Sequence, residues 1–401
     1  MASPPAEPGA AAADANRAPA VPFVQELRRD QLDGLRALLF MCVFVAHHAL
    51  ERVEFFSYAL PTFFVMSGFL ITRVLWMCRA ETLGGRLRTF YLRRIIRIVP
   101  AYAFVLALLL VFGDLQNPAS YVFYYLNIKL FLVSLHQELP AYITWWSNWN
   151  TQNLHLWSVA VEEQFYIVFP FVYFLVPARH LRLAFALTVA LGFASRTYFI
   201  HHYPTSFYGF LLTSCMEYFA WGAFFAYRDL HGMMPKGLPP WVSIYVPVAA
   251  VVTLISIEYG FDLDGYFHQS TTQFIGPIAP LLGFAIWGIW TADRQLPLVR
   301  FLNWRPFVYL GQISYPMYLT HLTFIVFAER MLAGPIARLT PSPTGQALVA
   351  FAAALALTIA AGAAIWHTIE VPASRLKRYA PLGPARPGRR AAPAAASSSP
   401  A

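Results

Sequence analysis

Ten apolar stretches of about helix length, near 31–50, 55–77, 98–113, 156–177, 183–201, 206–227, 241–258, 274–292, 307–328 and 345–366, divide the chain. A bilayer core holds no water to satisfy free backbone N–H and C=O groups. Each stretch must therefore close its hydrogen bonds internally, as a helix. The expected fold class is all-α: a polytopic membrane helix bundle of about ten transmembrane helices. Only 12% of the 401 residues are charged, about half the share in an ordinary soluble domain. That deficit runs along the whole chain, which excludes a soluble protein with a single anchor.

Ten spans place both termini on one side. In this register 22 of the 29 Lys and Arg residues fall in the tails and loops of that side, and 4 in the loops of the other. Positive charge marks the cytoplasmic side, so both termini are expected to be cytoplasmic. The net charge of +9 then reads as an orientation signal, and no nucleic-acid partner is expected. Residues 1–28 are rich in Ala and Pro and lack the apolar core of a signal peptide. They read as a disordered tail, with the first span as its own insertion signal. The transmembrane domain is expected over 29–378, and 379–401 as a second disordered tail. Such tails point to a high-GC bacterial source, and so to the inner membrane. The stretch 121–135 is apolar but carries Asn127 and Lys129 and is short for a span. It reads as interfacial or re-entrant. Trp145, Trp146 and Trp149 nearby suit either a headgroup belt or a sugar face. Cys42, Cys78 and Cys215 lie far apart without metal or redox spacing and read as packing residues. No metal and no resident cofactor is expected.

Several polar groups fall inside these apolar runs. Asp33 and Arg36 are three apart on one helix face and can pair. His47 follows Arg36 by eleven residues, roughly 16 Å of helix, so it hangs near the middle of a core about 30 Å thick. An ionisable group there is costly and is by default a functional candidate. His48 points away from it and reads as structural. Glu162 and Glu163 enter on the fourth stretch, with Tyr166 on the face of Glu163. Glu163 either joins a site or pairs with Arg196 on the next helix. Glu217 falls near the middle of the sixth stretch. Ser314, Tyr315, Tyr318 and His321 occupy the inner half of the ninth. Together these groups describe a polar chamber. Ser67–Gly68 belongs either to that chamber or to a close helix contact. The run Arg86–Arg97 is an orientation signal, an anionic-lipid contact or a binding surface. A proton-coupled transporter or flippase would use the same mid-depth groups. The lack of an internal repeat, and a basic patch gathered in one inner loop, count against it.

The order LDGLR-x10-H, FFVMSGFLIT, FYLRRIIRIVPAY, HLWSVAVEEQFYIVFP, LGQISYPMYLTH and a closing IEVP resembles the acyltransferase-3 family of polytopic membrane O-acyltransferases, over about 30–375. The resemblance implies a ten-helix bundle that moves an acyl group, often acetyl, from a cytoplasmic acyl-CoA to a hydroxyl of a carbohydrate or lipid-linked envelope molecule. Acyl-CoA would be a co-substrate. By the same resemblance His47 is implied to be catalytic, as base or acyl relay, with Glu163 and Tyr166 beside it. Arg36, Arg93, Arg94 and Arg97, with Ser67 and Gly68, are implied to meet the donor. Asp33, Ser158, Glu162 and His321 are supporting positions. Some members carry an esterase-like domain at the C-terminus. About 25 residues follow the last motif here, so that domain is expected to be absent.

The residue types suit the reaction. Arginines give bidentate, charge-assisted contacts to the phosphates of coenzyme A. A hydroxyl is a poor nucleophile until a base takes its proton, and an imidazole serves that purpose.

Overall fold

The computed structural model describes residues 29–48, 58–78, 80, 82–112, 115, 117–135, 153–204, 206–260 and 271–382. The expectations for the tail 1–28, for 383–401 and for Trp145, Trp146 and Trp149 lie outside these residues. Every regular element among the described residues is helical. The principal helices are α1 (Asp30–His48), α2 (Ala59–Met77), α3 (Leu83–Val111), α4 (Leu126–Leu135), α5 (Trp157–Leu175) and α6 (Leu181–His202). They continue with α7 (Leu212–Leu230), α8 (Val246–Gly260), α9 (Thr271–Thr291), α10 (Arg305–Gln312), α11 (Ser314–Met331) and α12 (Pro343–Ile365). Five helical stretches are long and apolar enough to cross a membrane: Ala59–Met77, Leu83–Val111, Leu154–Leu175, Ala178–His202 and Pro343–Tyr379. The described residues form an all-helical structure, that of an integral membrane protein.

Three elements differ from the sequence reading. The third stretch does not start near residue 98. α3 is one helix of 29 residues that runs through Pro100. It starts where Thr82 caps it, its side chain accepting from the Gly85 N–H. Pro100 removes one intrahelical bond, yet Ala101, Tyr102, Val105 and Leu106 beyond it are all buried. Packing of that face outweighs the lost bond. As a result Arg93, Arg94 and Arg97 sit on a helix rather than in a loop. The ninth stretch is interrupted at Ile313 (φ −88°, ψ 4°), between α10 and α11. The region 121–135 folds as two short helices, Pro118–Val122 and α4, joined through Tyr124 at φ 52°. Asn127 bonds there to the Phe210 carbonyl and to Gln164, so these short helices are held against α5 and the start of α7.

Close helix contacts depend on missing side chains. α2 packs most extensively on α7. A Cβ on Gly68 would lie 2.1 Å from the Phe219 carbonyl oxygen, and one on Gly222 would lie 1.9 Å from that of Val65. The two glycines let the backbones touch reciprocally. At the start of α1 the same device appears twice. A Cβ on Gly34 would meet the Leu302 carbonyl oxygen at 1.9 Å, and one on Gly311 would meet that of Asp33 at 1.7 Å. These contacts lock α1 to α10 and to the short helix Pro297–Leu302 before it, while α11 packs along α12.

Candidate active site

A cavity of about 150 Å³ lies between α1, α2, α3, α5 and α11. Its polar wall comprises Arg36, Ser67, Arg94, Arg97, Ser158, Glu162, Glu163, Tyr166, Ser314, Tyr315 and Tyr318. Phe40, Leu60, Phe63, Phe64 and Leu70 supply the apolar wall. On α2 and α5 the helical repeat turns Ser67 toward Glu162. The Ser67 hydroxyl donates to Glu162 Oε1 at 2.6 Å, and the Tyr166 hydroxyl donates to Ser67 Oγ at 3.2 Å. The Arg94 guanidinium stands 4.4 Å over the Tyr166 ring, close enough to interact with Glu162 and Glu163. Glu163 Oε1 has no hydrogen-bond partner among the described residues. A carboxylate pair, a hydroxyl and an arginine thus face one small volume.

The three arginines of α3 divide. Arg94 and Arg97, three apart, share the cavity face. Arg97 also pairs with Glu370, beyond α12. Arg93 turns the other way and donates to the Ala380 carbonyl at 3.1 Å. Arg36 is held by Asp33, with 2.7 Å between Nη1 and Oδ1. Gly68 does not line the cavity; its bare face meets Phe219. The pairing of Glu163 with Arg196 is not formed. Arg196 binds Glu217 at 2.5 Å and the Ser214 carbonyl at 2.9 Å, and both charged side chains are 2% exposed. Glu217 is on α7, which packs directly on α6, so it reaches Arg196 where Glu163, turned to the cavity, does not.

His47 is not in the cavity wall. It belongs to a second polar centre with His155 and His321. His47 Nδ1 lies 2.7 Å from His321 Nε2, with the rings stacked at 5.0 Å and 19°. His155 meets His321 edge to face at 4.7 Å. The Tyr318 carbonyl faces both His321 Nδ1, at 2.7 Å, and His155 Nε2, at 3.0 Å. His155 and His321 are buried, while His47 keeps part of its surface open. His48 turns to Phe351 instead. Ser158 connects the two centres. It lines the cavity, and its hydroxyl is 2.6 Å from that of Tyr318. Sequence reasoning passed over His155, although the motif quoted around Ser158 contains it. Its position three residues before Ser158, at the entry to α5, is the signal that was available.

A family model described as an acyltransferase domain matches residues 29–367. Among curated proteins, an O-acetyltransferase OatA of Staphylococcus aureus is 27% identical over 328 residues, 74% of this chain and 51% of that protein. A peptidoglycan O-acetyltransferase OatA of Listeria monocytogenes is 22% identical over 350 residues, 80% of this chain and 52% of that protein. A putative O-acetyltransferase of Staphylococcus aureus, SACOL0978, is 25% identical over 319 residues, 74% of this chain and 51% of that protein. The chain spans about half the length of these relatives. No solved structure matches it. With the family model matched from just before α1 to just beyond α12, the chain belongs to the acyltransferase-3 family.

Proposed function

We propose that this domain transfers an acyl group, acetyl in the first instance, from acyl-CoA to a hydroxyl of a cell-envelope glycan or lipid-linked sugar. The names of the relatives, O-acetyltransferase and peptidoglycan O-acetyltransferase, support the acyl group and the carbohydrate acceptor. The proposed setting is the bacterial inner membrane, crossed by about ten helices, with both termini in the cytoplasm. The observation that carries the reading is the joining of two centres. A carboxylate–arginine cavity containing Ser67, Arg94, Glu162 and Glu163 is linked through Ser158 and Tyr318 to a histidine cluster whose open member is His47.

The division of labour follows from the chemistry. Arg94, Arg97 and Arg36 meet the negative donor, Arg94 and Arg97 by forked contacts to phosphate. Arg93 acts at the outer margin of that surface. Ser67 holds the Glu162 carboxyl beside the donor, and Glu163 and Tyr166 orient the acceptor. His47 accepts the proton of the acceptor hydroxyl as its oxygen attacks the acyl carbon. The C–S bond breaks, and the departing thiolate takes up a proton. An acyl-imidazole on His47 is the alternative order of events.

The test is acyl transfer from radiolabelled acetyl-CoA to envelope material, in membranes holding equal amounts of wild type or His47→Ala. Label with wild type alone supports the assignment. Equal label with both removes His47 from the chemistry, and no label with either removes acetyl-CoA as the donor.

A further inference from the structure

The reading above leaves open which nitrogen of His47 reacts and what fixes it. We propose that His321 is a positioning residue that holds His47 as the Nδ1–H tautomer, so that Nε2 is the atom that takes the acceptor's proton. The inference rests on the acyl-transfer reading and deepens it.

His321 Nδ1 is 2.7 Å from the Tyr318 backbone carbonyl. A carbonyl only accepts, so Nδ1 of His321 carries a hydrogen. The ring is 0% exposed. Phe40 stands edge-on to it at 5.9 Å, Phe44 lies tilted at 6.4 Å, and His155 meets it at 4.7 Å. No carboxylate hydrogen-bonds or ion-pairs with it among the described residues. A second hydrogen on Nε2 would place an uncompensated charge in this apolar nest. Nε2 therefore offers a lone pair, and the group facing it at 2.7 Å is His47 Nδ1. That contact is a hydrogen bond only if His47 Nδ1 carries the hydrogen. The lone pair of His47 then resides on Nε2. Because His47 is the partly exposed member of the pair, this base is the one a substrate can reach.

His155 completes the anchor. It directs Nε2 at the same Tyr318 carbonyl, 3.0 Å away, and so carries its hydrogen there. Its ring edge fixes the plane of His321. The polarity runs one way: from the substrate hydroxyl to His47 Nε2, and from His47 Nδ1–H through His321 to a backbone carbonyl. When His47 takes the proton, the imidazolium keeps its Nδ1–H bond to His321, so the partner that sets the tautomer also steadies the charged form. In the step itself the acceptor O–H bond breaks, its hydrogen passes to Nε2, and the oxygen bonds the acyl carbon. The C–S electrons leave with the thiolate, which takes the proton back.

The experiment uses full-length protein in membranes, with radiolabelled acetyl-CoA and envelope material, and compares His321→Ala, His321→Gln and His321→Leu at equal protein level. A glutamine can place its amide oxygen where Nε2 stands and accept from His47. A leucine fills the volume and accepts nothing. The expected result is a fall in kcat of about 100-fold for Ala and Leu, an unchanged KM for acetyl-CoA, and recovery to within about 10-fold of wild type for Gln. Recovery by Leu as complete as by Gln, or a loss carried by KM, overturns the proposal in favour of packing. If His47→Ala abolishes transfer while His321→Ala leaves kcat intact, only this inference falls. If His47→Ala transfers like wild type, this inference falls together with the role of His47 while acyl transfer stands, and if wild type transfers nothing the parent reading falls as well.

Discussion

The Ser158 and Tyr318 hydroxyls lie 2.6 Å apart, and that hydrogen bond joins the acidic cavity to the histidine cluster. Tyr318 enters both centres: its phenol faces the Ser158 hydroxyl and the His155 carbonyl, and its own carbonyl faces the His155 and His321 rings. Tyr318→Phe removes the first and keeps the second. The expected outcome is a fall in kcat of about 10-fold, smaller than that of His321→Ala, since each of the two neutral hydrogen bonds of the phenol contributes roughly 1 kcal/mol. Steady-state transfer kinetics in membranes check this.

Ser67 supplies the hydrogen bond to Glu162 Oε1. Ser67→Ala leaves a partly buried carboxyl oxygen without that donor, which costs about 1 kcal/mol. The expected outcome is a lower Tm in detergent together with weaker transfer. A Tm equal to wild type would mean that water or a neighbouring side chain replaces the hydroxyl.

Arg94 reaches into the cavity, whereas Arg93 is turned to the Ala380 carbonyl. Arg94→Ala is expected to raise the KM for acetyl-CoA by about 10-fold or more, and Arg93→Ala by less, because a forked guanidinium–phosphate contact is the stronger interaction. Arg94→Lys should restore only part of the loss, since a point charge lacks the fork. Initial rates over a range of acetyl-CoA concentrations separate these cases.

Arg196 and Glu217 form an ion pair with both side chains 2% exposed. Removing one partner strands a buried charge. Arg196→Leu or Glu217→Leu alone is expected to cost about 3–5 kcal/mol, and the double leucine variant much less. Denaturant unfolding of the four proteins in micelles gives the cycle. A double variant as unstable as the sum of the singles would show that the two residues act independently.

His47, Glu163 and Tyr166 could be singled out as candidates because a polar residue in an apolar helix stands out against its neighbours, and the arginines of α3 because they form a basic run; the structure gathers Glu163, Tyr166, Arg94 and Arg97 around one cavity. Asp33 and Arg36 were legible because their spacing alone brings them together, and they do pair. What the sequence concealed are partnerships between distant helices. Glu217, not Glu163, is what Arg196 finds, since helix adjacency decides the choice and no spacing along the chain encodes it. The anchor of His321 is a backbone carbonyl, a group every residue possesses and that no motif can announce. The start of α3 was misplaced because Pro100 reads locally as a beginning, while the buried face beyond it carries the helix straight through. Gly68 belonged to a legible motif, but its use is contact with Phe219.

The glycine contacts at the start of α1 bear on events at its other end. His47 lies fourteen residues beyond Asp33, roughly 21 Å of helix, and His321 ten residues beyond Gly311. Where Gly34 meets Leu302 and Gly311 meets Asp33, backbone touches backbone, and no side chain is available to absorb a shift. His47 is therefore like the tip of a rod clamped at its opposite end, and His321 is reached from the same clamp across the break at Ile313. A methyl group added at Gly311 would force the two backbones apart at the clamp, so it would act as a remote lesion of the base, changing its alignment without changing the chemical identity of any group that surrounds it.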